Sequence, residues 1–206
     1  MTASVLSLEL SELELKRGDR LLVSGLSFSL RPGQLALVTG PNGCGKTTLL
    51  RTIAGLARPA AGSIRLGGQL VTKLEPIDRG HIAYQAHLEG LKKDLTVREN
   101  ILFFMEIRGV SDSEHEVMQE LGIEAYADRS LRQLSAGQKR RVALAVLKLG
   151  GAKLWLLDEP LTNLDPEGRE LVSGWLNQHL ADQGMAIVAT HLAAELKRPG
   201  SLLVEL

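Results

Sequence analysis

The chain has 206 residues, of which 24 are Lys or Arg and 24 are Asp or Glu, so its formal net charge is zero. This length suits one α/β domain with a sizeable core, and the balanced charge argues against nucleic acid as a main partner. No apolar run approaches the ~18 residues of a membrane-spanning helix. The single cysteine, Cys44, excludes an internal disulfide. The first residues lack a basic segment followed by an apolar core, so we expect no secretory signal and a cytoplasmic location.

The first third of the chain predicts an antiparallel β region. Apolar residues recur mainly at every second position in residues 5–15, and the alternation returns in residues 26–30. Ser63 to Leu66 is followed by two glycines, which is typical of a strand that enters a hairpin.

A glycine-rich stretch, Gly40-Pro-Asn-Gly-Cys-Gly-Lys-Thr47, follows the apolar strand Leu35 to Thr39 and fits the pattern GxxxxGK[ST]. Such a turn exposes backbone N–H groups, and the helix predicted from Lys46 to Ala54 directs its positive dipole end at the same point. The alternative is a glycine turn that only caps a βα unit. We predict a phosphate cradle in which Lys46 contacts the β- and γ-phosphates and Thr47 binds Mg²⁺. The residues predicted to bind nucleotide here are Gly40, Pro41, Asn42, Gly43, Cys44, Gly45, Lys46, Thr47 and Thr48.

The middle of the chain changes to a helical pattern, which predicts a helical insertion over approximately residues 86–150. Val97 to Arg108 and Glu114 to Leu121 are its amphipathic candidates. Phe103 and Phe104 are adjacent, so they cannot both face one core stripe well. One of them is a candidate for docking a membrane partner, with plain core packing as the alternative.

The stretch Leu134-Ser-Ala-Gly-Gln138 opens a helix that continues to Leu147. Ser135 is placed to cap this helix, and Gly137 leaves backbone N–H groups uncovered, so the helix start suits an anion. The plain alternative is a Ser-capped helix without a ligand. A second phosphate site so far along the chain predicts a two-fold dimer, in which this turn covers the nucleotide held by a second copy.

An apolar strand, Leu154 to Leu157, ends in the two carboxylates Asp158 and Glu159. Ligands bind at this edge of open α/β sheets. We predict that Asp158 binds Mg²⁺, directly or through its water shell, and that Glu159 orients or deprotonates the water that attacks the γ-phosphate. A predicted helix, Glu167 to Leu180, and a strand, Met185 to Ala189, complete a βαβ unit, and residues 201–206 predict one more strand.

The order and spacing of these motifs resemble the ATP-binding cassette (ABC) ATPases over nearly the whole chain. The resemblance implies an α/β P-loop NTPase fold, with a parallel core sheet, an antiparallel β subdomain and an inserted helical subdomain, in one domain spanning 1–206. It implies that the chain binds ATP and Mg²⁺ and that it hydrolyses ATP as the ATPase of a transporter (a translocase). Gln85 resembles the glutamine that senses Mg²⁺ and the attacking water, and His191 resembles the histidine that contacts the γ-phosphate. Asp165 resembles the residue that links the two sites of the dimer, alongside Ser135, Gly137 and Gln138.

One position departs from the family pattern. Many members carry an aromatic residue before the Gly-Asp of the early β turn to stack on adenine, whereas this chain has Arg17 before Gly18-Asp19. Guanidinium planes also stack on bases. We therefore predict that Arg17 covers adenine, with a solvated surface charge as the alternative.

The chain is similar to the ATPase subunits of bacterial cytochrome c maturation (Ccm) haem exporters. The similarity rests on Arg17, on the short length, on residues 84–96 and on the stretch Leu134 to Val142. This resemblance implies a peripheral subunit on the cytoplasmic face of the inner membrane, bound to integral membrane subunits of the Ccm system. ATP hydrolysis is then expected to release haem-loaded chaperone. The rival interpretation is a soluble ABC-type ATPase that acts as an assembly factor, or a subunit for another cargo.

Overall fold

A computed structural model describes residues 6–86 and 90–206; residues 87–89 of the stretch compared with the Ccm subunits lie outside that range. The strands, in chain order, are β1 (Leu8–Arg17), β2 (Arg20–Leu30), β3 (Leu35–Thr39), β4 (Ala61–Leu66), β5 (Gln69–Leu70), β6 (Ile82–Gln85), β7 (Leu154–Asp158), β8 (Met185–Ala189) and β9 (Leu202–Glu205). The α-helices are α1 (Lys46–Ile53), α2 (Pro76–Arg79), α3 (Val97–Arg108), α4 (Glu114–Glu120), α5 (Ala136–Leu149), α6 (Pro166–Ala181) and α7 (Ala193–Leu196).

The first sheet is antiparallel, in the order β2-β1-β4-β5. Strand β1, one of its two inner strands, buries Leu8, Leu10, Leu13 and Leu15. The alternation of buried and exposed residues along β1 shifts by one residue between Leu10 and Leu13. At this point Glu12 has a φ of 46° and the pairing of β1 with β2 is irregular. A bulge at this point keeps the later leucines on the core face. The predicted antiparallel region is confirmed.

The second sheet has the order β6-β7-β8-β3-β9, with β7, β8, β3 and β9 paired in parallel. Strand β8 is buried at every residue, and β3 and β7 are buried at all but their last, as expected for a sheet covered on both faces. The carboxyl ends of parallel strands meet at one edge. The phosphate loop, the acidic pair and Thr190-His191 therefore follow β3, β7 and β8 at the same edge of the sheet.

The chain divides into two compact units. The first comprises the part up to Tyr84, Ala152–Glu159 and Leu176–Leu206, and the second comprises Gln85–Gly151 and Pro160–Trp175. The sequence predicted the second unit as one insertion over residues 86–150, whereas the structure adds residues 160–175 to it.

Contacts inside the second unit explain this difference. Arg141 on α5 forms a 3.2 Å ion pair with Asp165, and Lys148 on the same helix lies 5.7 Å from the centre of the Trp175 ring. The first part of α6 therefore packs with α5, a long-range pairing that periodicity along the chain does not reveal.

Helices α3 and α5 of the second unit each start at a side-chain cap. Thr96 caps α3 and Ser135 caps α5, each in a reciprocal capping box with the residue three positions later. Asn100 is fully buried and binds the backbone of Lys92 at both its N–H and its carbonyl. Within the described residues, no helix combines the length and the apolar character needed to cross a bilayer.

Candidate functional site

The phosphate loop connects β3 to α1 in a conformation that requires glycine. Gly40, Gly43 and Gly45 have φ angles of 140°, 81° and 122°, which other residues rarely adopt. A Cβ at Gly40 would lie 2.6 Å from a main-chain oxygen of Leu206, and one at Gly45 would lie 3.3 Å from Leu22. Helix α1 has Gly45 at its N-cap and no side-chain cap, so the first N–H groups of the helix are left to an anion.

Lys46 and His191 meet at this loop although they are far apart in sequence. Lys46 Nζ donates hydrogen bonds to the carbonyl oxygens of Gly40 (2.7 Å) and Pro41 (3.3 Å) and lies 3.4 Å from His191 Nε2. The same His191 nitrogen is 3.0 Å from Asn42 Oδ1. The ring of His191 is therefore positioned beside the turn that is predicted to hold phosphate.

The two carboxylates at the end of β7 face different partners. Asp158 Oδ2 accepts a 2.6 Å hydrogen bond from the Thr47 hydroxyl. Glu159 Oε1 lies 3.4 Å from His191 Nε2, and Glu159 Oε2 accepts a 3.3 Å bond from the His191 N–H. Glu159 has a φ of 50°, a conformation seen more often at functional sites than elsewhere.

The paired oxygens of Thr47 and Asp158 fit a magnesium ion. Mg²⁺ prefers a small number of hard oxygen ligands from protein, together with water and substrate phosphates. A hydroxyl and a carboxylate oxygen at 2.6 Å, beside the phosphate loop, provide that donor set.

A cavity of about 240 Å³ joins these features within the first unit. Its lining brings together the phosphate loop, the acidic pair and Arg17, which ends β1. The lining residues are Arg17, Leu22, Asn42, Gly43, Gly45, Lys46, Thr47, Thr48, Asp158 and Glu159.

A second cavity, of about 530 Å³, lies in the second unit. It brings together Ser135, Gly137 and Gln138, predicted to cover the nucleotide of a second copy, and Asp165, predicted to link the two sites of the dimer. The Gln138 N–H donates to Ser135 Oγ (3.2 Å), and the Ser135 N–H donates to Gln138 Oε1 (3.0 Å). The serine hydroxyl therefore caps the helix, as predicted.

The position of Gly137 also has a steric reason to be glycine. A Cβ at this position would lie 2.5 Å from the Asn163 carbonyl oxygen. The glycine therefore allows residues 163–165 to approach the start of α5. Asp165 in turn caps α6, since its Oδ1 accepts a 2.8 Å bond from the Gly168 N–H.

The sequence did not point to Tyr126, Asn163, Arg141 or Glu167, which also line this second cavity. Burial raises the pKa of the Tyr126 hydroxyl, although the charge of Arg141 opposes the shift, so this hydroxyl stays protonated. Asn163 has a φ of 64°. The motif beginning at Leu134 includes Arg141, but only the fold shows its ion pair with Asp165.

Gln85 lies in the second unit and is almost fully buried. Its side-chain amide donates a 3.1 Å hydrogen bond to the Ala86 carbonyl oxygen. The structure thus gives this residue a defined position, and its role toward Mg²⁺ stays a prediction.

The phosphate loop, Lys46 and the two carboxylates at the end of β7 together define a P-loop nucleotide-binding site. Residues 23–162 match the family described as ABC transporter. The chain is 43% identical to the cytochrome c biogenesis ATP-binding export protein CcmA of Nitrosospira multiformis, over 92% of this chain and 94% of that relative. The chain therefore belongs to the ABC transporter family and, within it, to the family of cytochrome c biogenesis ATP-binding export proteins.

Solved structures share the fold. The ATP-binding subunit of an ABC transporter superposes with a TM-score of 0.80 at 25% identity, over 91% of this chain and 80% of that one. A dimeric post-hydrolysis ATP-binding cassette bound to ADP and Pi superposes with a TM-score of 0.77 at 22% identity, over 92% and 90% of the two chains. The predicted fold class and family are confirmed.

Proposed function

We propose that this chain is the ATP-binding and ATP-hydrolysing subunit of a membrane ABC transporter of cytochrome c biogenesis. The observation that carries the proposal is the convergence of Lys46, Thr47, Asp158, Glu159 and His191 at the carboxyl edge of the parallel sheet. The whole chain, 1–206, then acts as one ABC ATPase domain.

Each of these residues has a distinct task. The loop N–H groups and Lys46 hold the triphosphate. Thr47 and Asp158 would hold Mg²⁺, which would supply charge neutralisation at the phosphate oxygens. Glu159 orients the attacking water and accepts its proton, while His191 contacts the γ-phosphate.

Glu159 and His191 are suited to act together. The His191 backbone N–H and ring both lie against the Glu159 carboxylate, at 3.3 Å and 3.4 Å. Two contacts from one residue limit the rotation of the carboxylate, so the acceptor of the proton has a fixed orientation. Gln85 is proposed to bind Mg²⁺ and to contact the attacking water.

We also propose that two copies form two composite sites. The cavity at Ser135 lies at the start of the 14-residue helix α5, and a helix N-terminus favours an anion. It would receive the γ-phosphate of the nucleotide held by the partner copy, with Gly137, Gln138 and Asp165 around it. A cassette of the same fold has been captured as a dimer with ADP and Pi, which supports this arrangement.

Integral membrane subunits of the Ccm system are the proposed further partners, on the cytoplasmic face of the inner membrane. Helix α3 offers a docking surface, since Ile107 is 64% and Leu102 is 42% exposed. Phe103 and Phe104 pack edge to face at 5.2 Å between centroids and remain partly exposed. Release of haem-loaded chaperone is the work that hydrolysis would drive, by analogy with the relatives' role in export.

The direct test compares Glu159→Gln with the double variant Glu159→Gln/Lys46→Ala, each with saturating ATP and Mg²⁺. Glu159→Gln should bind ATP, hydrolyse it slowly and sediment as a dimer, because the nucleotide is held but not cleaved. The double variant should stay monomeric. Glu116→Gln, an exposed position on α4, is the matched control and should hydrolyse ATP normally. A strictly monomeric Glu159→Gln protein, even with its membrane subunits present, would refute the composite site.

The transport assignment needs a cellular test. In cells that depend on this chain, Glu159→Gln should abolish covalent haem attachment to c-type cytochromes, whereas Glu116→Gln should not. Copurification with integral membrane subunits from detergent extracts should be retained in both variants. Normal cytochrome c assembly in the Glu159→Gln strain would argue for a different cargo.

A further inference from the structure

Arg140 is a deeply buried charge in the second unit. It lies on α5, five positions after the capping Ser135, and is only 2% exposed. Arginine is almost never buried to this extent without partners, because removing its charge from water is costly unless acceptors replace the lost hydration. Its acceptors therefore indicate what the residue holds in place.

Two backbone carbonyl groups lie at the Arg140 guanidinium. Nη1 donates a 3.3 Å hydrogen bond to the Ala86 carbonyl oxygen, and Nε lies 3.5 Å from the Pro160 carbonyl oxygen. The Ala86 oxygen also accepts the 3.1 Å bond from the Gln85 amide. Arg140 and Gln85 thus converge on a single acceptor.

These carbonyl groups lie where the chain enters the second unit. Gln85 and Pro160 are the first residues of the two segments that make up the second unit. Ala86 follows the proposed Mg²⁺-sensing glutamine, and Pro160 directly follows the proposed catalytic Glu159. One side chain on α5, the helix capped by Ser135, therefore contacts the backbone beside two proposed catalytic residues.

We propose that Arg140 is a positioning residue for ATP hydrolysis, which fixes the carbonyl groups of Ala86 and Pro160, the residues next to Gln85 and Glu159, to helix α5. This inference rests on the proposed ATPase function. The planar fork of arginine presents several N–H groups at fixed angles, so it can hold two separate carbonyl oxygens at once. A lysine at this position keeps the charge but holds both oxygens less firmly.

The expected consequence is a defect in turnover without a defect in nucleotide binding. The phosphate loop, Lys46, Thr47 and Asp158 belong to the first unit, whereas Arg140 belongs to the second. Misplacement of catalytic groups by fractions of an ångström to one ångström lowers rates by up to about 100-fold. Loss of the Arg140 contacts should therefore lower kcat, while KM for ATP and the Kd of ATP change little.

The experiment uses the full chain with Arg140→Met, Arg140→Lys and a control, Arg132→Met. Arg132 also lies in the second unit, but it is exposed and pairs with the exposed Asp94. For each variant, kcat and KM of ATP hydrolysis, the Kd of ATP and the thermal unfolding midpoint are measured. Arg140→Met should lower kcat about 10- to 100-fold with KM and Kd within about 3-fold of the parent. Arg140→Lys should recover part of kcat, and Arg132→Met should behave as the parent.

The outcomes separate this inference from the proposed function. An unchanged kcat in Arg140→Met, with a parent activity that depends on Glu159, would overturn the positioning role alone. Parallel loss of ATP binding, kcat and thermal midpoint in both Arg140 variants would make Arg140 a purely structural residue and would also overturn it. A parent protein whose hydrolysis does not depend on Glu159 would overturn the proposed function and this inference together.

Discussion

The Thr47 hydroxyl donates a 2.6 Å hydrogen bond to Asp158 Oδ2 across 111 positions of sequence. Asp158 ends β7, and Thr47 lies on α1, which follows β3. The two residues meet because β3 and β7 both pair in parallel with β8. The first turn of α1 and the end of β7 therefore face each other at one edge of the sheet. A hydroxyl oxygen and a carboxyl oxygen this close together are placed to share a divalent cation.

Removal of the Thr47 hydroxyl tests this pair. Thr47→Val should raise the Mg²⁺ concentration needed for half-maximal ATP hydrolysis and lower kcat/KM by about 10- to 100-fold. That range corresponds to the loss of a contact to a charged group, about 1.5–3 kcal/mol. Magnesium titrations of ATPase activity measure the effect. Thr72→Val, at an exposed position, serves as the control, and an unaltered magnesium requirement in Thr47→Val would remove Thr47 from the metal site.

Arg17 lines the same cavity as the phosphate loop, which places it correctly for a residue that covers the base. Arg17→Tyr should preserve or tighten ATP binding, because an aromatic ring stacks on adenine at least as well as a guanidinium. Arg17→Ala should weaken binding roughly 5- to 100-fold, the range expected from about 1–3 kcal/mol of stacking. Calorimetric titration with ATP measures both effects.

Two controls make the Arg17 experiment specific. Arg20 is the cross-strand partner of Arg17 in the β1–β2 pairing and is absent from the cavity lining, so Arg20→Ala should bind ATP normally. Inorganic tripolyphosphate lacks a base, so its affinity should be the same for the parent and Arg17→Ala. Equal losses for ATP and tripolyphosphate would show that Arg17 acts through charge and not through stacking.

Local patterns predicted the elements that depend on local chemistry. Helix α3 and strand β8 have the predicted bounds, Val97–Arg108 and Met185–Ala189. Their limits coincide with a capping box at Thr96, a left-handed Gly109 at the C-cap and a fully apolar run in β8. The phosphate loop was equally predictable, since glycine, lysine and threonine each have a separate reason to occupy their positions.

Features that depend on tertiary packing were not predictable from one sequence. Arg140 and Arg141 are neighbours in a charged stretch, yet one is buried against backbone carbonyls and the other pairs with Asp165. The need for glycine at position 137 comes from the Asn163 carbonyl, which is distant in sequence. Only the arrangement of α5 against residues 160–175 decides such contacts.

His179 gives the first unit a pH-dependent stability. Its ring stacks on Trp155 at 4.0 Å and 9°, and its Nε2 lies 3.0 Å from the Met185 carbonyl oxygen. Burial is the main reason that its pKa is lowered from the ordinary 6.5; the charge of Lys153 adds to the shift, while Met185 and Asp182 oppose it. The unfolded chain therefore binds more protons than the folded one as the pH falls below 6.5. The free energy of unfolding should decrease in that range.

Thermal unfolding at about pH 7.5 and about pH 5.5 measures this effect. The parent should melt at a lower temperature at the acidic pH, and His179→Phe should reduce the difference while keeping the stack on Trp155. His81→Gln, at an exposed position, should melt like the parent at both values. Asp128, whose pKa is lowered by its hydrogen bond to Arg98, acts only below its ordinary value of 3.8 and does not interfere. An undiminished pH effect in His179→Phe would assign the dependence to other groups.

Gly137 and Gly174 offer a matched pair of glycines in helices α5 and α6. A Cβ at Gly137 would lie 2.5 Å from the Asn163 carbonyl oxygen, whereas a Cβ at Gly174 meets no atom within 4 Å. Gly137→Ala must therefore displace either the start of α5 or the backbone at residue 163. The Ser135 cavity should lose its shape, so the variant should lose most ATPase activity and about 1–3 kcal/mol of stability.

Binding of ATP to the phosphate loop should persist in Gly137→Ala, since that loop belongs to the first unit. Gly174→Ala should keep full activity and gain up to about 1 kcal/mol, because alanine favours a helix over glycine. ATPase rates, ATP titration and denaturant unfolding of both variants measure these outcomes. Combined with Glu159→Gln, Gly137→Ala should also prevent the ATP-dependent dimer, because the damaged cavity is the half-site offered to the partner copy. A stable dimer in that double variant would show that the Ser135 turn does not hold the partner's nucleotide.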